Sequence, residues 1–287
     1  DSNAMDSGYA RGYNRYIDTH ADQLPASCAG AEWVKPIDER DLARLAIGVG
    51  IRYGLGRVTD QIATAAPNQA IAALKPIDLT LDVEKIGSNA YAFGSELTDT
   101  GRGILLGNPH YPWQGPSRFH MAHLTLPGEI DFMGVGLIAT PRLAIGFNDT
   151  IAWSHTVSTA LRFTFFRLDL VPGNAMAYSV GDEERAIEAI EVAVETDAGI
   201  ENRTVYLTHL GPVVAGPNTP WDDQHVYVMR DVNYENYRTG DQYAAMQRAT
   251  DVTQLRQALA DHQGAAFVNT IAADKAGGAL YADMSAI

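Results

Sequence analysis

The sequence predicts an α+β fold with large, mainly antiparallel sheets, and three observations carry that prediction. Helical signals fill residues 9 to 65. From about residue 88, short apolar and β-branched runs follow one another closely, divided by Gly, Pro, Asn and Asp. One clear helix, at about 251–262, interrupts them.

Each element has its own reason. Tyr9, Tyr13 and Tyr16 sit at helical spacing. Asp38, Glu39 and Asp41 place acids in a first helical turn, where the helix dipole favours them, and Leu42, Leu45, Ala46 and Val49 follow on one face. Residues 61–75 are alanine-rich, with Pro67 and Pro76 as breakers, and read as a weak helix or a connection. Candidate strands are 89–94, 103–108, 119–126, 130–138, 143–147, 151–157 and 162–171. Further strands are expected at 186–195, 202–208, 225–230, 267–272 and 279–283. The helix at 251–262 has a capping box in Asp251 and Gln254 and an apolar seam in Leu255 and Leu259.

The chain of 287 residues is long enough for one large domain or two small ones, and 46% hydrophobic residues suffice for a real core. A formal net charge of -14, with the basic residues scattered, argues against nucleic acid and against anionic lipid as partners. No apolar run is long enough to span a bilayer. Cys28 is the only cysteine, so no internal disulfide forms, and it reads as a small buried hydrophobe rather than a nucleophile. The first ten residues lack the basic and apolar regions of a signal peptide, and the chain stops inside the last strand pattern, so a fragment of a longer protein is expected.

Gly87-Ser88-Asn89 taken alone is a turn. Its meaning changes with what surrounds it. Gly12-Tyr13-Asn14-Arg15-Tyr16 precedes it. Gly107-Asn108-Pro109-His110-Tyr111-Pro112-Trp113, Met121-Ala122-His123-Leu124 and Gly146-Phe147-Asn148-Asp149-Thr150 follow in order. Then come Trp153-Ser154-His155-Thr156-Val157 and Ala266-Phe267-Val268-Asn269-Thr270. This ordered series resembles the penicillin acylase family of N-terminal-nucleophile hydrolases, most of all the branch of acyl-homoserine-lactone and aculeacin-type acylases. The resemblance covers nearly the whole chain.

It implies an αββα sandwich with a helical N-terminal segment, and an amidohydrolase that acts on acylated amines. It also implies a three-part chain. Residues 1–65 would be the late α-chain part, 66–87 a spacer ending at a cleavage site between Gly87 and Ser88, and 88–287 the N-terminal part of the β chain. Ser88 is then the nucleophile and its freed α-amino group the base. Such an amine has an ordinary pKa of about 7.7–8.0, so part of it is unprotonated at neutral pH. Gly87 suits the backbone angles that attack on its carbonyl needs. His110 matches a position beside the nucleophile, and Val157 the residue whose N–H enters the oxyanion hole. Asn89 fixes the strand end. A second oxyanion donor, a side-chain Asn in the family, falls beyond residue 287, and Asn269 lies in a different motif.

Tyr111, Phe119, Leu137, Phe267 and Val268 match the family's acyl pocket, although all five also suit a plain core. Ser117 and Thr140 stand where larger apolar residues are expected. Residues 158–162 lack the carboxylates of a calcium site, and His120, His123, His155 and His209 show no metal-ligand spacing, so neither metal nor cofactor is expected. His155 reads as structural. The resemblance also implies a periplasmic location and no partner beyond a small acylated substrate and the protein's own processed chains. The alternatives left open are a β-lactam acylase and an inactive truncated precursor that only binds acyl ligands.

Overall fold

A computed structural model describes residues 2–68, 75–78, 87–115, 117–138 and 140–286. Most of the expected spacer, including Ile86, lies outside the described residues. The chain forms two compact units. The first comprises Asp1–Gly50, Asp82–Ala160 and Glu235–Ile287; the second comprises Ile51–Leu81 and Leu161–Tyr234.

In the first unit, α1 (Ser2–Thr19) and α2 (Glu39–Gly50) come first. Asp38 caps α2: its Oδ1 accepts from the N–H of Arg40 at 2.8 Å and of Asp41 at 3.0 Å, and Asp41 Oδ2 accepts in return from the Asp38 N–H at 3.1 Å. That reciprocal pair is a capping box built from two aspartates. Asn14 in α1 exchanges two 2.9 Å hydrogen bonds with the backbone of Ile37, which ties the approach to α2 against α1. Of the expected apolar face of α2, only Leu42 is fully buried.

Next come β1 (Gly87–Phe93) and β2 (Ile104–His110), an antiparallel hairpin with Gly87 opposite His110 and Phe93 opposite Ile104. Gly87-Ser88-Asn89 is therefore strand, not turn, because Asn108-Pro109-His110 supplies its ladder partners. The hairpin's inner row is Ser88, Ala90 and Ala92 with Leu105, Gly107 and Pro109; its outer row, with Tyr91, Phe93, Ile104 and Leu106, is exposed.

Four more strands follow: β3 (Phe119–Leu126), β4 (Ile130–Leu137), β5 (Ile145–Phe147) and β6 (Ile151–Val157). With β14 (Val268–Asp274) and β15 (Ala279–Ala282) they form a six-stranded antiparallel sheet in the order β15-β14-β6-β5-β4-β3. The inner row of the hairpin packs on β6 and β14. On the other face of the sheet, α4 (Thr239–Met246) and α5 (Val252–His262) close a core of Phe132, Trp153, Met246, Leu255 and Leu259. The described layers thus run sheet, sheet, helices, in keeping with the α+β sandwich expected.

Asp251 caps α5 as expected, its Oδ1 accepting from the Gln254 N–H at 2.8 Å. The return bond differs: Gln254 Oε1 accepts from the Thr250 N–H at 3.2 Å. The helix α4 is absent from the sequence reading; it has Gly240 in its first turn and no side-chain cap.

The second unit holds α3 (Thr59–Ala63), which overlaps only the start of the alanine-rich stretch 61–75, and strands β7 (Phe163–Val171) and β13 (His225–Asp231). These two pair with β8 (Asn174–Val180) and β9 (Glu183–Ala186) in a four-stranded sheet. A second sheet joins β10 (Glu188–Thr196), β11 (Gly199–Thr208) and β12 (Gly211–Pro212). His209 is structural here, its Nδ1 lying 2.7 Å from the Tyr178 hydroxyl. Cys28 is half-buried rather than buried.

Candidate active site

The ends of β1, β2, β6 and β14 surround a cavity of about 580 Å³ in the first unit. Ser88 and Val157 both line it. So do Tyr111, Phe119, Leu137, Phe267 and Val268. The strand register explains the convergence. Phe119 faces Leu137 across β3–β4, and Val157 faces Val268 across β6–β14. Tyr111 stacks on Phe119 at 4.7 Å between centroids. The apolar face of α2 adds Leu42, Ala46, Ile47 and Val49 to the wall. This is why that face is only partly buried against protein.

Ser88 lies on the inner row of β1, and its hydroxyl donates to the Gly87 carbonyl oxygen at 2.5 Å. His110 is brought to the same end of the hairpin, but opposite Gly87 and exposed, and it does not line the cavity. Its Nδ1 lies 3.6 Å from where a Cβ on Gly87 would stand. Its Nε2 is 3.0 Å from the Asn108 amide nitrogen. With that amide as donor, Nε2 accepts and the ring proton sits on Nδ1, the nitrogen toward Gly87. Asn89 is exposed on the outer row.

At Val157 the ladder geometry is informative. The Ser158 N–H donates to the Phe267 carbonyl at 2.8 Å, and Val157 and Val268 form the next pair. Alternation in an antiparallel ladder then turns the Val157 N–H away from β14. Asn269 braces this strand end: its Nδ2 donates to Thr156 Oγ1 at 3.1 Å and to the Val157 carbonyl at 3.3 Å, and its Oδ1 accepts from the Tyr281 hydroxyl at 3.2 Å.

Of the polar part of the wall, His155 and Thr140 were singled out in the sequence, whereas Arg142 and Asp6 were not. Arg142 makes a two-pronged ion pair with Asp6 of α1, at 2.6 and 3.0 Å, and both line the cavity. His155 lies on the cavity wall and is buried; Nδ1 is 3.2 Å from both the Asn269 carbonyl and Thr270 Oγ1. Burial pushes its pKa down to about 4, against the pull of the Asn269 and Ala144 carbonyls, so the ring is neutral at pH 7. Tyr243 meets His155 edge-on at 5.8 Å.

The loop that carries Ala265, Ala266 and Phe267 into the wall is fixed from beneath. Gln242, fully buried, accepts through Oε1 from the N–H groups of Gly264 and Ala265. Thr239 Oγ1 and Asn236 Nδ2 donate to the Gly264 carbonyl at 2.7 and 3.1 Å. Thr140 also lines the cavity, whereas Ser117 is buried outside it.

Comparisons with known proteins bear on this site. The penicillin amidase family matches residues 1–287. Aculeacin-A acylase of Actinoplanes utahensis is 42% identical over 294 residues, covering 98% of this chain and 37% of the relative. The acyl-homoserine lactone acylase PvdQ of Pseudomonas fluorescens is 38% identical over 296 residues, covering 98% of this chain and 38% of the relative. The chain therefore spans under two-fifths of the length of these curated relatives. Among solved structures, a thermostable penicillin G acylase from Alcaligenes faecalis shares the fold, with a TM-score of 0.59 and 20% identity over 68% of this chain and 35% of that one. With a cavity that gathers Ser88, Val157 and the apolar residues between them, and with a match that runs from one end to the other, this chain belongs to the penicillin amidase family.

Proposed function

We propose that the protein is an amidohydrolase that removes an acyl chain from an amine-bearing head group, with Ser88 as an N-terminal nucleophile exposed by cleavage of its own chain. The observation that supports it best is the meeting of Ser88, Val157 and five apolar side chains around one cavity. Acylated homoserine lactones are the substrate class favoured, because a relative 38% identical is named an acyl-homoserine lactone acylase; the acyl chain of a lipopeptide is the other substrate that the family resemblance implies. A periplasmic location belongs to the same reading.

Two reactions share the site. In the first, Ser88 Oγ attacks the Gly87 carbonyl carbon, the Gly87–Ser88 C–N bond breaks, and the nitrogen takes the proton. Water then hydrolyses the resulting ester, leaving a Gly87 carboxylate and a free Ser88 amine. In the second, that amine takes the proton from Ser88 Oγ as the oxygen attacks the substrate's amide carbon. The Val157 N–H stabilises the oxyanion, and losing one such donor typically costs about 10²–10³ in rate. The head-group amine leaves with the proton, and water, activated by the same amine, releases the acid.

Five apolar side chains around the Ser88 end of the cavity suit an aliphatic acyl chain, each buried methylene of which contributes about 0.8 kcal/mol. Intact mass and N-terminal sequencing are the test. A new terminus reading Ser88-Asn89-Ala90, absent in Ser88→Ala, together with release of fatty acid from alkanoyl amides, is expected. Full hydrolysis by Ser88→Ala, or by a chain with the 87–88 bond intact, would remove Ser88 from the mechanism. Preference for penicillin G over every alkanoyl amide would favour a β-lactam substrate instead.

A further inference from the structure

Val157 is the last residue of β6, and the ladder around it sets where its peptide groups point. Ser158 donates to the Phe267 carbonyl, so Val157 and Val268 form a non-hydrogen-bonded pair. Both the N–H and the carbonyl of Val157 therefore turn away from β14. Asn269 reaches them from the face of the sheet. Its Nδ2 donates to the Val157 carbonyl at 3.3 Å and to Thr156 Oγ1 at 3.1 Å. A donor can hold that carbonyl but has nothing to offer the N–H beside it. Asn269 is fixed in turn: the Tyr281 hydroxyl of β15 donates to its Oδ1 at 3.2 Å, which turns Nδ2 toward β6.

The same strand end lies beneath the nucleophile. A Cβ on Gly103 would meet Ala273 and the Asp274 backbone, and one on Gly107 would meet Ser154. Ala273 faces Ala152, so the hairpin advances along β6 in the direction of Val157 as it runs toward Pro109. Ser88, opposite Pro109, thus comes over the end of the ladder where Thr156 faces Asn269. Ser88, Thr156 and Val157 line the cavity, whereas Asn269 does not.

We propose that Asn269 is a positioning residue for acyl transfer, aiming the Val157 N–H at the oxyanion, and that Tyr281 holds it in the orientation that does so. The proposal rests on the reading of Val157 as the oxyanion donor. An oxyanion donor works because it is fixed before charge develops, and a residue at the end of a strand is fixed only if something outside the ladder holds it. Two bonds to β6 and one from β15 do this without touching substrate. Their loss is felt in the transition state and hardly in the ground state, because a substrate carbonyl carries far less charge than the oxyanion.

The test uses Asn269→Leu, which keeps a branched side chain and removes all three bonds, and Tyr281→Phe, which removes only the outer bond from an exposed residue. Rates on an alkanoyl amide of a fluorogenic amine are taken per Ser88 terminus formed. We expect kcat to fall about 10²-fold in Asn269→Leu and about threefold in Tyr281→Phe, with KM within about twofold of wild type in both. If Asn269→Leu forms no Ser88 terminus, Tyr281→Phe decides. An alkylboronic acid supplies the readout that a packing role would not move. Ser88 Oγ adds to the boron, the Oγ proton passes to the Ser88 amine, and the tetrahedral adduct sets a boron oxygen where the oxyanion stands. Its affinity should fall by the same factor as kcat, while the alcohol of the same chain length, which forms no adduct, binds as before.

Equal losses of affinity for boronic acid and alcohol, or a raised KM with kcat kept, would show that Asn269 only packs the strand end and would overturn the proposal. So would wild-type behaviour in both variants. A wild-type protein that neither hydrolyses the amide nor prefers the boronic acid to the alcohol would overturn the catalytic reading itself, and this proposal with it.

Discussion

Gly107→Ala probes how the spacing between the β1–β2 hairpin and β6 sets the position of Ser88. Gly107 lies on the inner row, opposite Ala90, and Ser88 with Pro109 is the next pair on that face. A Cβ on Gly107 would fall 2.8 Å from Ser154 Cβ and 2.9 Å from Ser154 Oγ, whereas ordinary contact begins at 3.4 Å. The hairpin or β6 must therefore give by about 0.6 Å, the difference of 3.4 and 2.8. Overpacking of this kind costs about 1–3 kcal/mol. Because Ser88 rides on the displaced hairpin and Val157 on β6, their separation changes, and misplacement near 1 Å costs up to about 10² in rate. We expect about a tenfold fall in kcat and slower appearance of the Ser88 terminus. Ser154→Gly removes both clashing atoms. Urea denaturation and turnover of the double variant should recover at least about 1 kcal/mol beyond additivity, together with most of the rate. Strict additivity, or a single variant indistinguishable from wild type, would refute the argument that the close approach at Gly107 positions Ser88.

Two further outcomes follow from the cavity wall. His155 has its pKa lowered from 6.5 to about 4, so the native state binds fewer protons than the unfolded chain between those values. Its contribution to stability is complete above pH 6.5 and is lost as pH falls toward 4, at most about 3 kcal/mol; His155→Gln should flatten the urea-unfolding free energy over that window by a similar amount. Gln242→Leu strands the buried N–H groups of Gly264 and Ala265 and should cost about 2–4 kcal/mol, speed amide exchange at 264–266 and raise KM for long-chain substrates. Gln242→Glu, which keeps the acceptor, should spare the exchange rates; equal acceleration in both variants would show that the loop is held by something else.

The sheets were readable where side-chain pattern and ladder agree. Strand 130–138 alternates buried and less buried residues along β4, and the run 151–157 coincides with β6. The misses have local causes. β8 reads Asn-Ala-Met-Ala-Tyr-Ser-Val, with too few β-branched residues to declare a strand, and it is held by pairing with β7 and β9. α4 begins at Thr239-Gly240 with no cap, and tertiary contact through Gln242, Ala244 and Met246 fixes it instead. In α2 the apolar spacing did not say what the face meets: Leu42, Ala46 and Val49 line the cavity, while Leu45 is exposed.

The site divides the same way. Ser88, Val157 and the five apolar residues were named from ordered blocks of sequence, and the fold gathers those residues around one cavity. Asn108, Gln242 and Asn269 were not, because what each does depends on a partner that only pairing supplies. Asn108 matters through His110, two residues on and on the same exposed face of β2. Gln242 matters through the backbone of Gly264 and Ala265, more than twenty residues away. Asn269 reaches Thr156 and Val157 across the β14–β6 ladder, a separation of 113 and 112 residues. A side-chain amide suits such work, since it donates and accepts without adding charge. Its sequence signature is correspondingly weak: a lone Asn or Gln in an apolar run looks like a loop residue until the strand beside it is known.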